Sequence, residues 1–213
     1  MSSTKNKVLI TGSSNGLGWY LAQEFAKHGH SLVLHGRNVK KLEELKSKIG
    51  KNCEIYVCDL KDQEELKKLA KFAVKKDVKV LINNAGVTCP GKTLKDLDLQ
   101  LINDMIDTNL KAPIILTKLM LPSLSDVINI NSMSGRESKK NRSLYAASKW
   151  GLRGFSQSFK QEFENINILD FYPTNMQTWP TRENAMEINF VTNKIYQAFA
   201  NKEQELILDG RKL

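Results

Sequence analysis

The chain has 213 residues, of which 41% are hydrophobic and 26% charged, the proportions of one ordinary globular domain with a substantial core. No apolar run approaches the roughly 18–20 residues that cross a bilayer, and no apolar signal core precedes Val8, so a cytoplasmic protein is expected. The net charge of +9 permits nucleic-acid or anionic-membrane contact. However, the lysines alternate with glutamates over 40–46 and 64–68, the pattern of solvated helix faces, and there is no continuous basic tract or recognised binding motif. Neither nucleic acid nor membrane is expected as a partner; the excess suits a small phosphorylated ligand.

Short apolar runs at 8–10, 31–34, 55–58, 78–82, 127–130, 168–171 and 205–208 read as strands. Helical periodicity occupies 16–28, 38–49, 62–75, 97–120, 145–164 and 185–200, with Gly29, Gly36, Gly50, Gly86, Gly91, Pro122, Pro173 and Gly210 as punctuation. Strands alternating with helices predict βαβ units with right-handed crossovers. The expected fold is a single doubly wound α/β domain over 1–213. Its seven-stranded sheet is mostly or wholly parallel, and its strand carboxyl ends form the ligand crevice.

Directly after the first strand stands Thr11-Gly12-Ser13-Ser14-Asn15-Gly16-Leu17-Gly18, which opens the first helix. Glycines let a backbone turn tightly against a pyrophosphate, and the helix amino terminus offers free N–H groups. The histidines His28, His30 and His35 cluster at the next connection but lack further ligands, so no metal is expected. Cys53, Cys58 and Cys89 have no paired metal spacing, and Cys53 and Cys58 read as reduced packing residues. Farther on, Tyr145 and Lys149 stand four residues apart at the start of a helix, which stacks a phenol and an ammonium on one face. A neighbouring positive charge lowers a phenol's pKa, so the pair is a candidate acid–base device; it is also an ordinary surface pairing.

Together these residues resemble the short-chain dehydrogenase/reductases, in the shorter branch with Thr-Gly-x-x-x-Gly-x-Gly and Tyr-x-x-x-Lys. Further matches follow in order along essentially the whole chain: Asp59 at the third strand, Asn83-Asn84-Ala85-Gly86 at the fourth, Asn109 in the long fourth helix, Ser132 after the fifth strand, and 173–178 after the sixth. The resemblance implies a catalytic group of Asn109, Ser132, Tyr145 and Lys149. In it Ser132 stabilises charge on the substrate oxygen and Tyr145 transfers the proton. Lys149 holds the nicotinamide ribose and tunes the phenol, and Asn109 anchors a water for proton resupply. The other reading of Asn109 is a helix-interior amide bonded to nearby backbone.

The resemblance also implies a dinucleotide held by Gly12, Ser14, Asn15, Gly16, Leu17 and Gly18, by Arg37, Asp59 and Leu60, and by Asn84, Ala85 and Gly86. Tyr145, Lys149, Pro173, Met176 and Thr178 complete that set. Thr174 replaces the family's usual glycine, and a Cβ there is incompatible with φ > 0. At the end of the second strand Gly36-Arg37 takes the place of the carboxylate that selects NAD(H). A guanidinium suits a 2′-phosphate, so NADP(H) is preferred and NAD(H) remains possible; the family's second basic position holds Asn15.

The function implied is an NADP(H)-dependent reductase of a small carbonyl or dehydrogenase of an alcohol. The alternative is a dinucleotide-binding redox sensor that acts through partners without turnover. The substrate region is expected in 133–142, 89–93 and a short lid near 176–187, where Trp179 and Met186 are candidates to cover a substrate. By resemblance the chain forms a homodimer or homotetramer through 97–120 and 145–164. Phe155, Phe159 and Phe163, spaced on one helical face, serve either that interface or the chain's own core.

Overall fold

The alternating apolar runs form seven parallel strands in a computed structural model that describes residues 5–89, 91–177 and 185–211. They are β1 (Lys7–Ile10), β2 (Ser31–Gly36), β3 (Cys53–Val57), β4 (Val80–Asn83), β5 (Asp126–Ile130), β6 (Asn167–Pro173) and β7 (Glu205–Leu208). Their order is β3-β2-β1-β4-β5-β6-β7, with every pairing parallel. Both faces are covered, as a parallel sheet requires. Strand periodicity sends Val8 and Ile10 into one core and Leu9 into the other; Leu32 and Leu34 part from Val33 in the same way.

Helices α1 (Gly16–Lys27), α2 (Val39–Ile49) and α7 (Ile188–Ala200) cover the first face. The second face is covered by α3 (Gln63–Lys75), α5 (Ala112–Met120) and α6 (Ser143–Glu162), while α4 (Leu99–Ile106) leads into α5. Phe159 is buried in the second core and Phe155 and Phe163 pack against it. That phenylalanine stripe therefore serves the chain's own core. Cys53 and Cys58 are buried free thiols. Among the described residues no helix is long and apolar enough to cross a membrane.

The single helix expected over 97–120 is corrected to α4, a π-helical turn over Asp107–Lys111, and α5. Pro113 lies four residues after Asn109 and has no N–H for the Asn109 carbonyl, so regular α-helical bonding cannot continue there. The starts of α2, α3 and α4 are capped by side chains: Asn38 accepts from Lys41 N–H, Asp62 from Glu64 and Glu65, and Asp98 from Leu101. The amino terminus of α1 is different, because Asn15 makes no side-chain cap. It opens between β1 and β4, where successive connections leave β1 in opposite directions and a crevice forms.

Candidate active site

Two glycines of the loop after β1 are required by geometry. Gly12 has φ 67°, and a Cβ there would lie 2.9 Å from the Cα of Ala85. At Gly18 a Cβ would lie 2.4 Å from Asn84 Nδ2 and 2.5 Å from the Gly12 carbonyl oxygen, so helix and loop touch backbone to backbone. The loop is braced from both sides. Asn84 Nδ2 donates to the carbonyl oxygens of Thr11 (2.8 Å) and Gly12 (3.1 Å), and the Thr11 hydroxyl oxygen accepts from the N–H groups of Asn84 and Ala85. On the other side, His35 Nδ1 accepts from Gly12 N–H at 3.3 Å and Nε2 lies 3.2 Å from the Cys58 carbonyl oxygen. Burial pushes the His35 pKa down to about 4, so the ring is neutral at pH 7 and donates through Nε2. The uncapped N–H groups of α1 then face a space that suits an anion.

At the end of β2, Gly36 packs beneath Ser14: a Cβ on Gly36 would meet the Ser14 side chain at 3.1–3.2 Å. No carboxylate occupies that position, and the next residue presents a guanidinium. Arg37 is exposed and lies 3.7 Å from Asp59, a separation and exposure at which an ion pair binds weakly. Asp59 also accepts from Lys61 N–H at 3.0 Å. These residues fit the adenosine end of a dinucleotide: an open helix amino terminus, a cradle without side chains, and an exposed, weakly paired guanidinium beside it.

Ser132 stands just past β5, where it caps a short 3-10 turn over Met133–Gly135. Its hydroxyl oxygen accepts from Ser134 N–H at 3.1 Å, which leaves its proton for donation into the cleft. Tyr145 and Lys149 share the first turns of α6. Lys149 is 5% exposed, and its Nζ donates to the Ile130 carbonyl oxygen at 2.8 Å. Burial pulls its pKa down to about 8, while the charge of Asp170 on β6 acts in the opposite direction. The Tyr145 phenol is held above its ordinary value by burial; the Ser132 hydroxyl and the positive charge of Arg142 pull it down. The expectation of a phenol lowered by Lys149 is thus corrected for this structure. Lys149 Nζ is engaged with Ile130 and lies 5.9 Å from the Tyr145 ring centre.

Asn109 is 1% exposed within the π turn. Its Oδ1 accepts from Val87 N–H at 2.7 Å, and its Nδ2 donates to the Val87 carbonyl (2.9 Å) and the Ser148 hydroxyl (3.2 Å). The side chain therefore clamps the segment after β4 to α6. Deeper in the sheet, Asn83 donates to Asn129 (2.8 Å), Asn129 to Ser156 (2.9 Å), and Ser156 to Asp170 (2.7 Å). Burial raises the Asp170 pKa to about 6 despite these donors.

Thr174 raises no strain, because among the described residues the positive-φ positions outside glycine are Asp77, Asn141 and Lys202. Its hydroxyl instead accepts from Gly210 N–H at 2.8 Å, which fastens the segment after β7 to the end of β6. Met176 and Met186 form an isolated parallel bridge that closes the base of the expected lid. Of the two roles open to Met186, substrate cover or ordinary packing, it takes the second and packs into the first core. Thr178 and Trp179 lie outside the described residues.

One cleft of about 770 Å³ is lined by Gly12, Ser14, Asn15, Gly16, Leu17, Arg37, Asp59, Leu60, Asn84, Ala85, Gly86, Ser132, Tyr145, Lys149, Pro173 and Met176. The expected cofactor-facing and proton-transferring residues thus converge. Gly18 and Asn109 do not line it; they hold its wall in place. Of the expected substrate segments, 133–142 contributes Met133, Ser134, Lys139 and Arg142, whereas none of the described residues of 89–93 reaches the cleft. The bracing roles of His35 and Ser148 have no local sequence signal, because their partners lie far along the chain.

A cleft with a phosphate-sized cradle at one end and a Ser–Tyr–Lys group at the other defines a dinucleotide-dependent oxidoreductase on a Rossmann-type sheet. More narrowly, the chain belongs to the short chain dehydrogenase family, whose model matches residues 6–188. It is 31% identical to the ketoacyl reductase HetN of Nostoc sp., over 97% of this chain and 79% of that protein. Among solved structures, a metagenomic short-chain oxidoreductase in complex with NADP superposes with a TM-score of 0.86 at 26% identity, covering 98% of each chain. A short-chain dehydrogenase from Sphingobium yanoikuyae in complex with NADPH gives 0.87 at 26% identity, covering 95% of this chain and 87% of that one.

Proposed function

We propose that this chain is an NADP(H)-dependent carbonyl reductase or alcohol dehydrogenase in which Tyr145 transfers the proton and Ser132 holds the reacting oxygen. The observation that carries this reading is the Ser132 hydroxyl. Its oxygen accepts from Ser134 N–H and the hydroxyl bonds to the Tyr145 phenol, so both groups can meet one carbonyl oxygen as it gains negative charge. When bound, the dinucleotide supplies or accepts the hydride. Tyr145 gives its phenolic proton to that oxygen during reduction and takes it back during oxidation. Lys149, held by Ile130, is positioned for the ribose. Asn109 acts as a clamp on Val87 and Ser148, so its part is positional.

Preference for NADP(H) is supported by Arg37, by the missing carboxylate at Gly36, and by the NADP and NADPH held by the two structural relatives. Thr178 completes the cofactor contacts in this reading, with a short lid over 176–187. A cytoplasmic homodimer or homotetramer belongs to the same reading, and light scattering at micromolar concentration tests the assembly. The deciding experiment is a screen of aldehydes and ketones with NADPH, followed by its absorbance. Turnover lost in Tyr145→Phe supports the reading. NADPH binding without turnover on any substrate replaces it with the redox-sensor function.

A further inference from the structure

We propose that the carbonyl substrate carries an anionic group, such as a carboxylate, close to its reacting carbon, and that Arg142 and Lys139 receive it. This inference rests on the oxidoreductase reading above and names its substrate class. Besides Arg37 and Lys61, four cationic side chains line the cleft: Lys139, Arg142, Lys149 and Arg211. Two of them are already committed. Lys149 is bonded to Ile130, and Arg211 is forked onto Glu137 (3.1 and 3.2 Å) and Asp209 (2.7 Å).

Arg142 and Lys139 are different. Among the described residues neither forms an ion pair or a hydrogen bond through its charged group. Glu137, which senses the charge of Lys139, is already occupied by Arg211. The Arg142 guanidinium carbon lies 6.0 Å from the Tyr145 ring centre. It precedes the tyrosine by three residues, so both side chains meet one end of α6. Asn141 adopts φ 60° immediately before it, a left-handed turn that asparagine tolerates better than most residues and that directs the chain into α6.

The cofactor's own phosphates do not call for these cations. In the reading above the pyrophosphate belongs to the uncapped amino terminus of α1 and the 2′-phosphate to Arg37, both at the other end of the cleft. Two cations that line the cleft without an ion pair among the described residues create a field that favours an anion and repels a cationic substrate.

The test titrates NADPH-saturated protein by calorimetry with pyruvate, acetoacetate and succinate semialdehyde, and with the methyl ester of each, while turnover is followed in parallel. At least one free acid is expected to bind and react about 10-fold better than its ester, as a charge-assisted hydrogen bond implies. Arg142→Gln brings the ratio of acid to ester binding toward one, whatever it does to turnover of both through Tyr145; Lys139→Gln reduces the ratio in part. Esters equal to or better than acids in every pair, or no acid binding at all, overturns the proposal. Arg142-dependent acid binding without turnover keeps the anion site and removes the oxidoreductase reading instead.

Discussion

Lys149 Nζ donates to the carbonyl oxygen of Ile130 at 2.8 Å, which ties the helix carrying Tyr145 to the end of the strand that presents Ser132. The proton donor and the oxygen-binding hydroxyl are thereby held in one frame by a buried ammonium. Tyr145→Phe removes only the transferable proton and is expected to lower turnover by at least ~10²-fold, with NADPH affinity changed little. Lys149→Met removes both the link and the charge, so it lowers turnover and NADPH affinity together. Fluorescence titration and steady-state rates on the same samples separate the two. Equal loss of NADPH binding in both variants contradicts the division of roles.

Arg37 is exposed, and its link to Asp59 spans 3.7 Å, so its stability contribution is small. Arg37→Gln is expected to shift the melting free energy by less than ~0.5 kcal/mol. A charge-assisted pair with a 2′-phosphate is another matter: its loss lowers kcat/KM with NADPH by roughly 10–100-fold and leaves the NADH value nearly unchanged. If NADH is the better coenzyme of the unmodified protein, the preference is reversed.

Gly18 and Gly154 are both helical but differ in surroundings. A Cβ at Gly18 collides with Asn84 Nδ2 and the Gly12 carbonyl, whereas one at Gly154 meets nothing within 4 Å. Gly18→Ala is therefore expected to cost about 1–3 kcal/mol through overpacking and to weaken NADPH binding by shifting the loop. Gly154→Ala, at an exposed position inside α6, stabilises by about 0.5–1 kcal/mol. Urea denaturation of the pair measures both signs, and a neutral Gly18→Ala removes the close-packing account of the loop.

How much of this was legible depended on how local each cause is. The strands are readable because each is a short apolar run, buried on both faces in the middle of the sheet and partly exposed at its edges β3 and β7, and the glycine loop because its requirement is in the backbone itself. The break at Asp107–Lys111 was not read, since the amphipathic period runs on through the π turn; Pro113 is its one local mark. Phe155, Phe159 and Phe163 suit either an interface or a core until the neighbouring helices are placed. His35 is similar: a histidine after a strand reveals nothing of Gly12 or Cys58, its partners across the crevice. Whether a cation is compensated is likewise a property of the fold. Glu137 reaches Arg211 from 74 residues away, while Arg142 is left facing Tyr145.

Asp170 and Lys149 give the protein a testable pH dependence of stability. Burial raises the Asp170 pKa from 3.8 to about 6. Between those values the native state binds more protons than the unfolded chain, so this group's contribution to stability falls as pH rises through the window. His35 acts oppositely over nearly the same range: burial lowers its pKa from 6.5 to about 4, the unfolded chain binds more protons, and stability rises with pH. The net acid limb therefore mixes the two, and a variant is needed to isolate Asp170. Asp170→Asn cannot titrate, so its stability relative to the unmodified protein is expected to improve by on the order of 2–3 kcal/mol between pH 4 and pH 7. Lys149, lowered from 10.5 to about 8, makes stability rise again from about pH 8 to pH 10.5, a rise that Lys149→Met abolishes. Urea unfolding across this range decides both points. A constant difference between Asp170→Asn and the unmodified protein at every pH shows that Asp170 is ionised in the fold at its ordinary pKa, which the Asn83–Asn129–Ser156 donors would then have to offset in full.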